Sequence, residues 1–324
     1  MPETTNIATM AEILSNKVFS VFGWLTTGTT NHNWPCENPE LHKRKTHPSD
    51  VVFYYDEPYS LTRTYVNCDL KSYKAGSITA GAIESAMASL SRALTCAEIS
   101  ASWRDMYVDK NVTASIVGLL FIYNHDGAYD KDFDGVMTTL RLDDVNIPTG
   151  SRIIVLGPRM IHWLNNVRYD IVQMRGENLL PDSQACRFHF PELVRRKNVQ
   201  PSARAATLEM LTGPWITLQH TDPSTKQVGY VIYYRHRGES SKEFLYILDY
   251  LEHYQMLSAT TTIRLRLLDP APNAPSHFQH AIREYVDAYE GGEAMAELLK
   301  KIEYSAITNV VSTFSDVEVG MFHE

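Results

Sequence analysis

The chain has 324 residues, 44% of them hydrophobic, which is enough for one large domain or for two domains with apolar cores. Its formal net charge of −8 argues against a protein coated in basic surface, so contact with nucleic acid has to come from a local basic patch or from a partner. There is no signal-peptide pattern and no apolar run of the ~20 residues that a membrane helix needs, so we expect a cytoplasmic protein without a membrane segment.

The first predicted element is a helix that Thr9 caps and that carries Glu12 in its first turn. Behind Glu12, apolar residues recur at helical spacing and form one buried stripe. The helix dipole favours a glutamate in a first turn, which is one explanation of Glu12.

Residues 31–47 are predicted to form a polar loop. This loop contains one cysteine and three histidines: Cys36, His32, His42 and His47. Their spacing matches no common structural zinc pattern, so we interpret the segment as solvated. The other cysteines are Cys68, Cys96 and Cys186. Because no two cysteines form a C-x-x-C pair, we predict reduced thiols throughout.

A basic run, Lys43, Arg44 and Lys45, closes this loop shortly before Asp50. Placed near a catalytic site, it would hold a phosphate backbone. A solvated run of charges explains the same residues equally well, so both interpretations stay open.

Two strands follow, and they are predicted to pair as a hairpin. Residues 51–55 are β-branched and aromatic, and residues 65–71 form the returning strand after a turn. Because side chains alternate along a strand, Asp69 and Lys71 share one face. Asp50 opens the first strand, so its carboxylate can come close to that of Asp69.

Two carboxylates and a lysine at one sheet edge suit metal-dependent phosphoryl chemistry. Mg²⁺ prefers oxygen ligands and is usually held by one or two protein carboxylates. Lys71 would position the attacking water or neutralise the charge that develops on the phosphorane. The alternative is a strand with a surface ion pair, which is common.

This pattern resembles the PD-(D/E)XK nuclease superfamily, whose fold is the restriction-endonuclease-like fold. Asp50 matches the first acid of the family motif, Asp69 the second acid and Lys71 the lysine. Ser49 is a departure, because it stands between Pro48 and Asp50 where the motif has proline directly before the acid.

The resemblance implies a mixed central sheet flanked by helices and a site that binds Mg²⁺ or Mn²⁺ through Asp50 and Asp69. In the family, a helix before the hairpin often carries a glutamate that completes the metal site, and Glu12 is the matching position. A helix also follows the hairpin, and here Ser77 or Thr79 caps it. The residues between Lys71 and that helix could contact phosphate through the helix N-terminus. These candidates for nucleic-acid binding are Ser72, Lys74 and Ser77.

The remaining residues predict more of the same α/β architecture. Residues 115–123 and 152–156 form strands, and residues 125–144 form an acidic insertion with a short helix. We place a boundary near Gln200, which gives a nuclease-like domain over residues 1–200 and a smaller α/β domain over residues 201–324. No internal repeat is visible. Because the C-terminal domain shows no catalytic constellation, we expect it to mediate self-association, bind a partner subunit or select the substrate.

Two functions from different classes remain open. The first is a metal-dependent endonuclease that hydrolyses phosphodiester bonds, with DNA expected over RNA and defence against phage or plasmid DNA as the context. The second is a non-catalytic nucleic-acid-recognition or structural subunit of a nuclease complex. The presence of all three motif residues favours the first, although a fold alone does not fix a function.

Overall fold

The computed structural model describes residues 2–192, 199–288 and 292–310, with the backbone alone for residues 2–10. The described chain forms two compact units, the first reaching His162 and the second spanning Trp163–Val310. The division falls inside helix α6 (Pro158–Gly176). The domain boundary near Gln200 stays a prediction, and residues 311–324 of the predicted C-terminal domain lie outside the described residues.

The first unit contains a long mixed sheet and a separate two-stranded sheet. Its strands are β1 (Leu25–Thr27), β2 (His32–Pro35), β3 (Thr46–Ser49), β4 (Val51–Asp56), β5 (Thr62–Tyr73), β6 (Thr113–Asn124) and β7 (Ile153–Leu156). Its helices are α1 (Pro2–Val21), α2 (Pro39–His42), α3 (Ala80–Ile99), α4 (Ala101–Tyr107), α5 (Phe133–Thr138) and the start of α6. Among the described residues, no helix is both long and apolar enough to cross a membrane.

The main sheet has the strand order β1-β4-β5-β6-β7. The β1–β4 and β4–β5 pairs are antiparallel, whereas β5–β6 and β6–β7 are parallel. Helices cover both faces of β6: Phe19 of α1 contacts the ring of Phe121, and α3 packs on the alternate residues Leu120 and Ile122. This confirms the predicted mixed sheet flanked by helices, and two-sided burial explains the unbroken apolar run of β6.

Two local predictions are wrong and one is confirmed. Helix α1 begins at Pro2, so Thr9 is not its cap and Glu12 is not in its first turn. Helix α3 begins after Thr79 as predicted, since the Thr79 side chain accepts a hydrogen bond from Ala82 N, and the helix extends to Ile99. Residues 31–47 are not a solvated loop, because they form β2, α2 and the start of β3 and bury several of their side chains.

The second unit contains another sheet, and the apolar patterns of residues 215–219, 229–234 and 261–267 predict three of its strands. Its strands are β8 (Cys186–Phe188), β9 (Trp215–Thr221), β10 (Val228–Tyr234), β11 (Thr262–Leu268) and β12 (Glu303–Ile307). Its helices are the rest of α6, α7 (Leu208–Thr212), α8 (Ser241–His253), α9 (Ala274–Ala288) and α10 (Gly292–Lys300). Strands β8 and β12 at the two edges are short and were not predicted.

The two sheets have the same strand pattern. In the order β8-β9-β10-β11-β12, the first two pairs are antiparallel and the last two are parallel, as in the first unit. In each unit a helix also precedes the antiparallel strands and another helix links the first two parallel strands. The chain therefore repeats one topology, although its sequence shows no repeat.

Gly118 marks where α3 packs closely on β6. A Cβ atom at this position would lie 2.9 Å from Leu94 Cδ1 and 3.1 Å from Leu90 Cδ2, and both leucines are buried. Gly118→Val should overpack this contact and lower the free energy of unfolding by about 1–3 kcal/mol in urea denaturation. Gly81 is the control, because a Cβ there meets nothing within 4 Å, so Gly81→Ala should not destabilise the protein. Equal unfolding midpoints for Gly118→Val and the unmodified chain would contradict this description of the packing.

Candidate active site

Asp50 stands at the junction of β3 and β4, where the chain passes from the small sheet to the main sheet. The first residue of β4, Val51, pairs with Cys68 of β5, so Asp50 lies beside the next residues of that strand. The Asp50 Oδ2 atom accepts a hydrogen bond of 2.7 Å from the Leu70 backbone N–H. This bond fixes the Asp50 carboxylate against β5.

Asp69 and Lys71 lie on one face of β5, as the alternation of side chains predicts. Lys71 Nζ is 2.5 Å from Asp69 Oδ1, and the two side chains are 32% and 13% exposed. The pair is therefore mostly buried but open to solvent on one side. The structure thus brings the three predicted residues Asp50, Asp69 and Lys71 together.

The environment of Asp50 makes its carboxylate costly to ionise. Burial, followed by the negative charge of Asp69, raises the pKa of Asp50 to about 6, although the Leu70 N–H and the Lys71 ammonium partly oppose this shift. For Lys71, burial favours the neutral amine, but the Asp69 and Asp50 carboxylates outweigh it and raise the pKa. The site therefore keeps its lysine charged and holds more negative charge than that lysine can balance.

The donor set fits a hard divalent cation. Its ligand atoms are carboxylate oxygens, and a buried carboxylate with a raised pKa gains the most from a nearby positive charge. Asp50 and Asp69 would hold Mg²⁺ or Mn²⁺ at this position. The neighbouring Cys68 is not a competing ligand, because burial first, and then the two aspartate charges, raise the pKa of its thiol.

Asn31, which the sequence did not single out, links Glu12 to this region by hydrogen bonds. Asn31 adopts a positive φ of 51° between β1 and β2. Its backbone N–H donates to the Asp50 carbonyl over 2.7 Å, and its side-chain Nδ2 donates to Glu12 Oε2 over 3.0 Å. Asn31 therefore connects the α1 glutamate to the chain segment that holds the first acid. The sequence signal was slight, because an asparagine before a strand is an ordinary turn residue.

The predicted basic run lies at the other end of β3 from Asp50. Lys43 follows α2 with a positive φ of 54°, and Lys43 and Lys45 are exposed. Arg44 is half-buried and donates to Ser89 of α3 over 3.0 Å. Five residues of extended chain cover about 16 Å, so this run is separated from the acids rather than adjacent to them.

The predicted phosphate contacts after Lys71 surround the turn from β5 to α3. Ser72 Oγ is 3.2 Å from His125 Nδ1, whereas Lys74 and Ser77 are exposed in the turn. Asp126, which was not predicted, accepts hydrogen bonds of 3.1 Å from Ala75 N with both carboxylate oxygens. The turn is therefore fastened to the end of β6.

The second unit repeats the strand pattern without the acids. In the β9–β10 register, the residue before the first strand is Pro214, where the first unit has an aspartate. Strand β10 ends at Tyr234, and the next residue, Arg235, lies opposite Pro214 as Asp69 lies opposite Asp50. These replacements remove the carboxylate ligands, so the described acidic site belongs to the first unit.

Comparison with known proteins agrees with this geometry. The model of a family described as "GAPS4 protein PD-(D/E)XK nuclease domain" matches residues 1–160, which covers the main sheet of the first unit and all three motif residues. No curated protein and no solved structure matches the chain. Residues 1–160 of the chain therefore form a domain of the PD-(D/E)XK nuclease superfamily.

Proposed function

We propose that this nuclease is a Mg²⁺- or Mn²⁺-dependent endonuclease that hydrolyses phosphodiester bonds in DNA. The observation that carries the proposal is the meeting of Asp50, Asp69 and Lys71 at one end of the β4–β5 hairpin. We infer from the fold shared with restriction-type enzymes that its context is defence against phage or plasmid DNA. That step is an analogy of fold.

Each residue of the site has a separate task in this mechanism. Asp50 and Asp69 would hold the metal ion, and Leu70 N–H keeps the Asp50 carboxylate in place. A bound divalent ion polarises a phosphoryl oxygen and lowers the pKa of its water. The Lys71 ammonium is already fixed by Asp69, so it can orient the attacking water or neutralise charge on the phosphorane without a large rearrangement.

Substrate binding requires positive charge that the chain as a whole does not have. Lys43, Lys45 and Lys74 are exposed, and each could contact backbone phosphates on either side of the site. With a net charge of −8, these local contacts are the chain's means of holding DNA unless a partner contributes.

The alternative function, non-catalytic recognition, is favoured by one observation. The second unit lacks the acids of the motif, so this alternative applies to that unit only.

We also propose that the C-terminal domain, residues 201–324, mediates self-association or binds a partner subunit. The support is that the repeated topology carries the motif acids Asp50 and Asp69 in the first unit and has no counterpart of them in the second, so each chain has one such site among its described residues. A single site cuts one strand at a time, so cleavage of both strands in one event needs a second chain. The second unit has its own buried core and no carboxylate at the positions that correspond to Asp50 and Asp69, which leaves it available for that contact.

The chemistry is tested by substitutions in β5 with a control in the same hairpin. Asp69→Ala removes a metal ligand and should lower plasmid cleavage by roughly 10³-fold or more, with loss of Mn²⁺ binding in calorimetry. Lys71→Ala should lower cleavage by about 10²–10³-fold and keep Mn²⁺ binding. The control is the Arg63–Asp56 ion pair of 2.7 Å at the other end of the hairpin, where Asp56→Asn should keep full activity. Full, metal-dependent activity in a folded Asp69→Ala protein would remove this site from consideration.

The role of Glu12 is tested together with Asn31. If Glu12 supports the metal site, Glu12→Gln should lower activity by about 10–100-fold, with partial rescue at high Mn²⁺ concentration. Because Asn31 links Glu12 to the Asp50 segment, Asn31→Ala should have a similar effect, and the double variant should be no worse than the more severe single variant. Effects that simply add, with an unchanged metal dependence, would leave Glu12 with no role at the site.

Self-association is tested on the full chain by size-exclusion chromatography with light scattering. We expect an assembly of at least two chains, and active chains mixed with excess Asp69→Ala chains should nick plasmid rather than linearise it. This result is expected because a mixed assembly has one working site for two strands. A monomer that linearises plasmid at the same rate in the presence of inactive chains would refute the proposal.

A further inference from the structure

Four metal-binding side chains that the active site does not use converge inside the first unit. They are Cys36, His42, His47 and Cys96, and all four are buried. Each offers one ligand atom, and these atoms all lie within 4.8 Å of one another. From the sequence, the first three are predicted to lie in a solvated loop, and nothing in their spacing links them to Cys96.

Four different elements supply these residues. Cys36 directly follows β2, His42 ends α2, His47 lies in β3, and Cys96 lies in the last turn of α3. The chain separation of 60 residues between Cys36 and Cys96 is why no spacing rule reveals the cluster. Only the packing of the β2–β3 sheet against the end of α3 brings the cysteines together.

The distances within the cluster match those of a four-coordinate site. The two Sγ atoms are 3.7 Å apart, and His42 Nδ1 lies 3.3 Å from Cys36 Sγ and 3.4 Å from Cys96 Sγ. His42 Nδ1 and His47 Nε2 are 3.4 Å apart. A tetrahedron with Zn–S bonds of about 2.3 Å and Zn–N bonds of about 2.0 Å has edges of roughly 3.8 Å between sulphurs, roughly 3.5 Å between sulphur and nitrogen and roughly 3.3 Å between nitrogens.

We propose that these residues form a closed structural zinc site of the Cys₂His₂ type. Two thiolates and two imidazoles in tetrahedral array are the ligands that zinc prefers, and they do not suit the hard Mg²⁺ or Mn²⁺ ion of the acidic site. All four positions are taken by protein, so the site has no place for substrate and is not catalytic. The inference does not depend on the proposed nuclease function.

Competing explanations of the cluster fit less well. A disulfide needs sulphurs about 2.05 Å apart, far less than is seen between Cys36 and Cys96. A hydrogen-bonded cluster of neutral groups would rest on thiols, which are weak donors and acceptors.

The zinc site would fasten the strand that leads to the active site. Ser49 lies two residues after His47, and its Oγ accepts hydrogen bonds from Trp34 Nε1 over 3.0 Å and from Trp103 Nε1 over 3.2 Å. Asp50 follows directly. The metal therefore closes a small clamp that holds β3 on α3 and α4, and a role for this clamp in placing Asp50 rests on the proposed function.

The test is the metal content of the full chain, purified in reducing buffer without chelator. We expect one zinc ion per chain by elemental analysis, and X-ray absorption should show two sulphur ligands at about 2.3 Å and two nitrogen ligands at about 2.0 Å. Cys96→Ala should lose most of the zinc. Cys186→Ser, which changes a buried cysteine of the second unit, and Asp69→Ala, which changes the acidic site, should both keep it.

Three results would overturn the proposal. The first is a full chain that retains no zinc after reconstitution with Zn²⁺ under reducing conditions. The second is bound zinc with only oxygen and nitrogen neighbours, and the third is zinc that Cys96→Ala retains in full. If the Cys96→Ala protein does not fold, Co²⁺ substitution of the unmodified chain decides instead: a tetrahedral spectrum with a thiolate charge-transfer band supports the site, and an octahedral spectrum refutes it.

Discussion

The pairing of Val51 with Cys68 is the constraint on which the acidic site depends. It places Asp50 against the backbone of Leu70 and beside Asp69, and the two-residue period of the strand then places Lys71 next to Asp69. A slip of one residue in this register would turn every side chain of β5 to the other face and bury its charges among the aromatic residues under α1. The apolar packing on both faces of the sheet excludes that slip. Core packing thus fixes the positions of three charged side chains.

The parts of the molecule that the sequence predicted are those decided by local rules. The alternation of side chains along β5 and its hairpin with β4 predict that Asp50, Asp69 and Lys71 lie together. These residues are only about 20 positions apart, and the two-residue repeat of a strand decides which of them share a face. The apolar run of β6 and the helices before and after it were likewise predicted from the spacing of apolar residues along the sequence. The family resemblance added a mixed sheet, which the hairpin alone does not imply.

The parts that the sequence did not predict depend on contacts between distant residues. Asn31 is recognised as a link only when α1 and β4 are both in place. Cys96 joins Cys36, His42 and His47 only through the packing of α3, so a spacing rule that searches a single loop finds three ligands and rejects them. The repeated topology is hidden for a related reason, because strand order belongs to the backbone and the two units share it without sharing side chains. Where the first unit pairs Asp50 with Asp69, the second has Pro214 opposite Arg235, so the same strand order carries the acidic site in one unit and lacks its two acids in the other.

The two clusters of the first unit differ in how early the growing chain can complete them. Asp50 and its hydrogen-bond donor Leu70 are 20 residues apart in a hairpin, so the acid pair can form as soon as β5 has left the ribosome. The cysteine–histidine cluster has to wait for Cys96, 60 residues beyond Cys36, and therefore for most of α3. During synthesis, the residues that anchor β3 at its Asp50 end are thus complete before those that anchor it at its His47 end. The spacing of the residues along the chain therefore sets the order in which the acid pair and the cysteine–histidine cluster become possible.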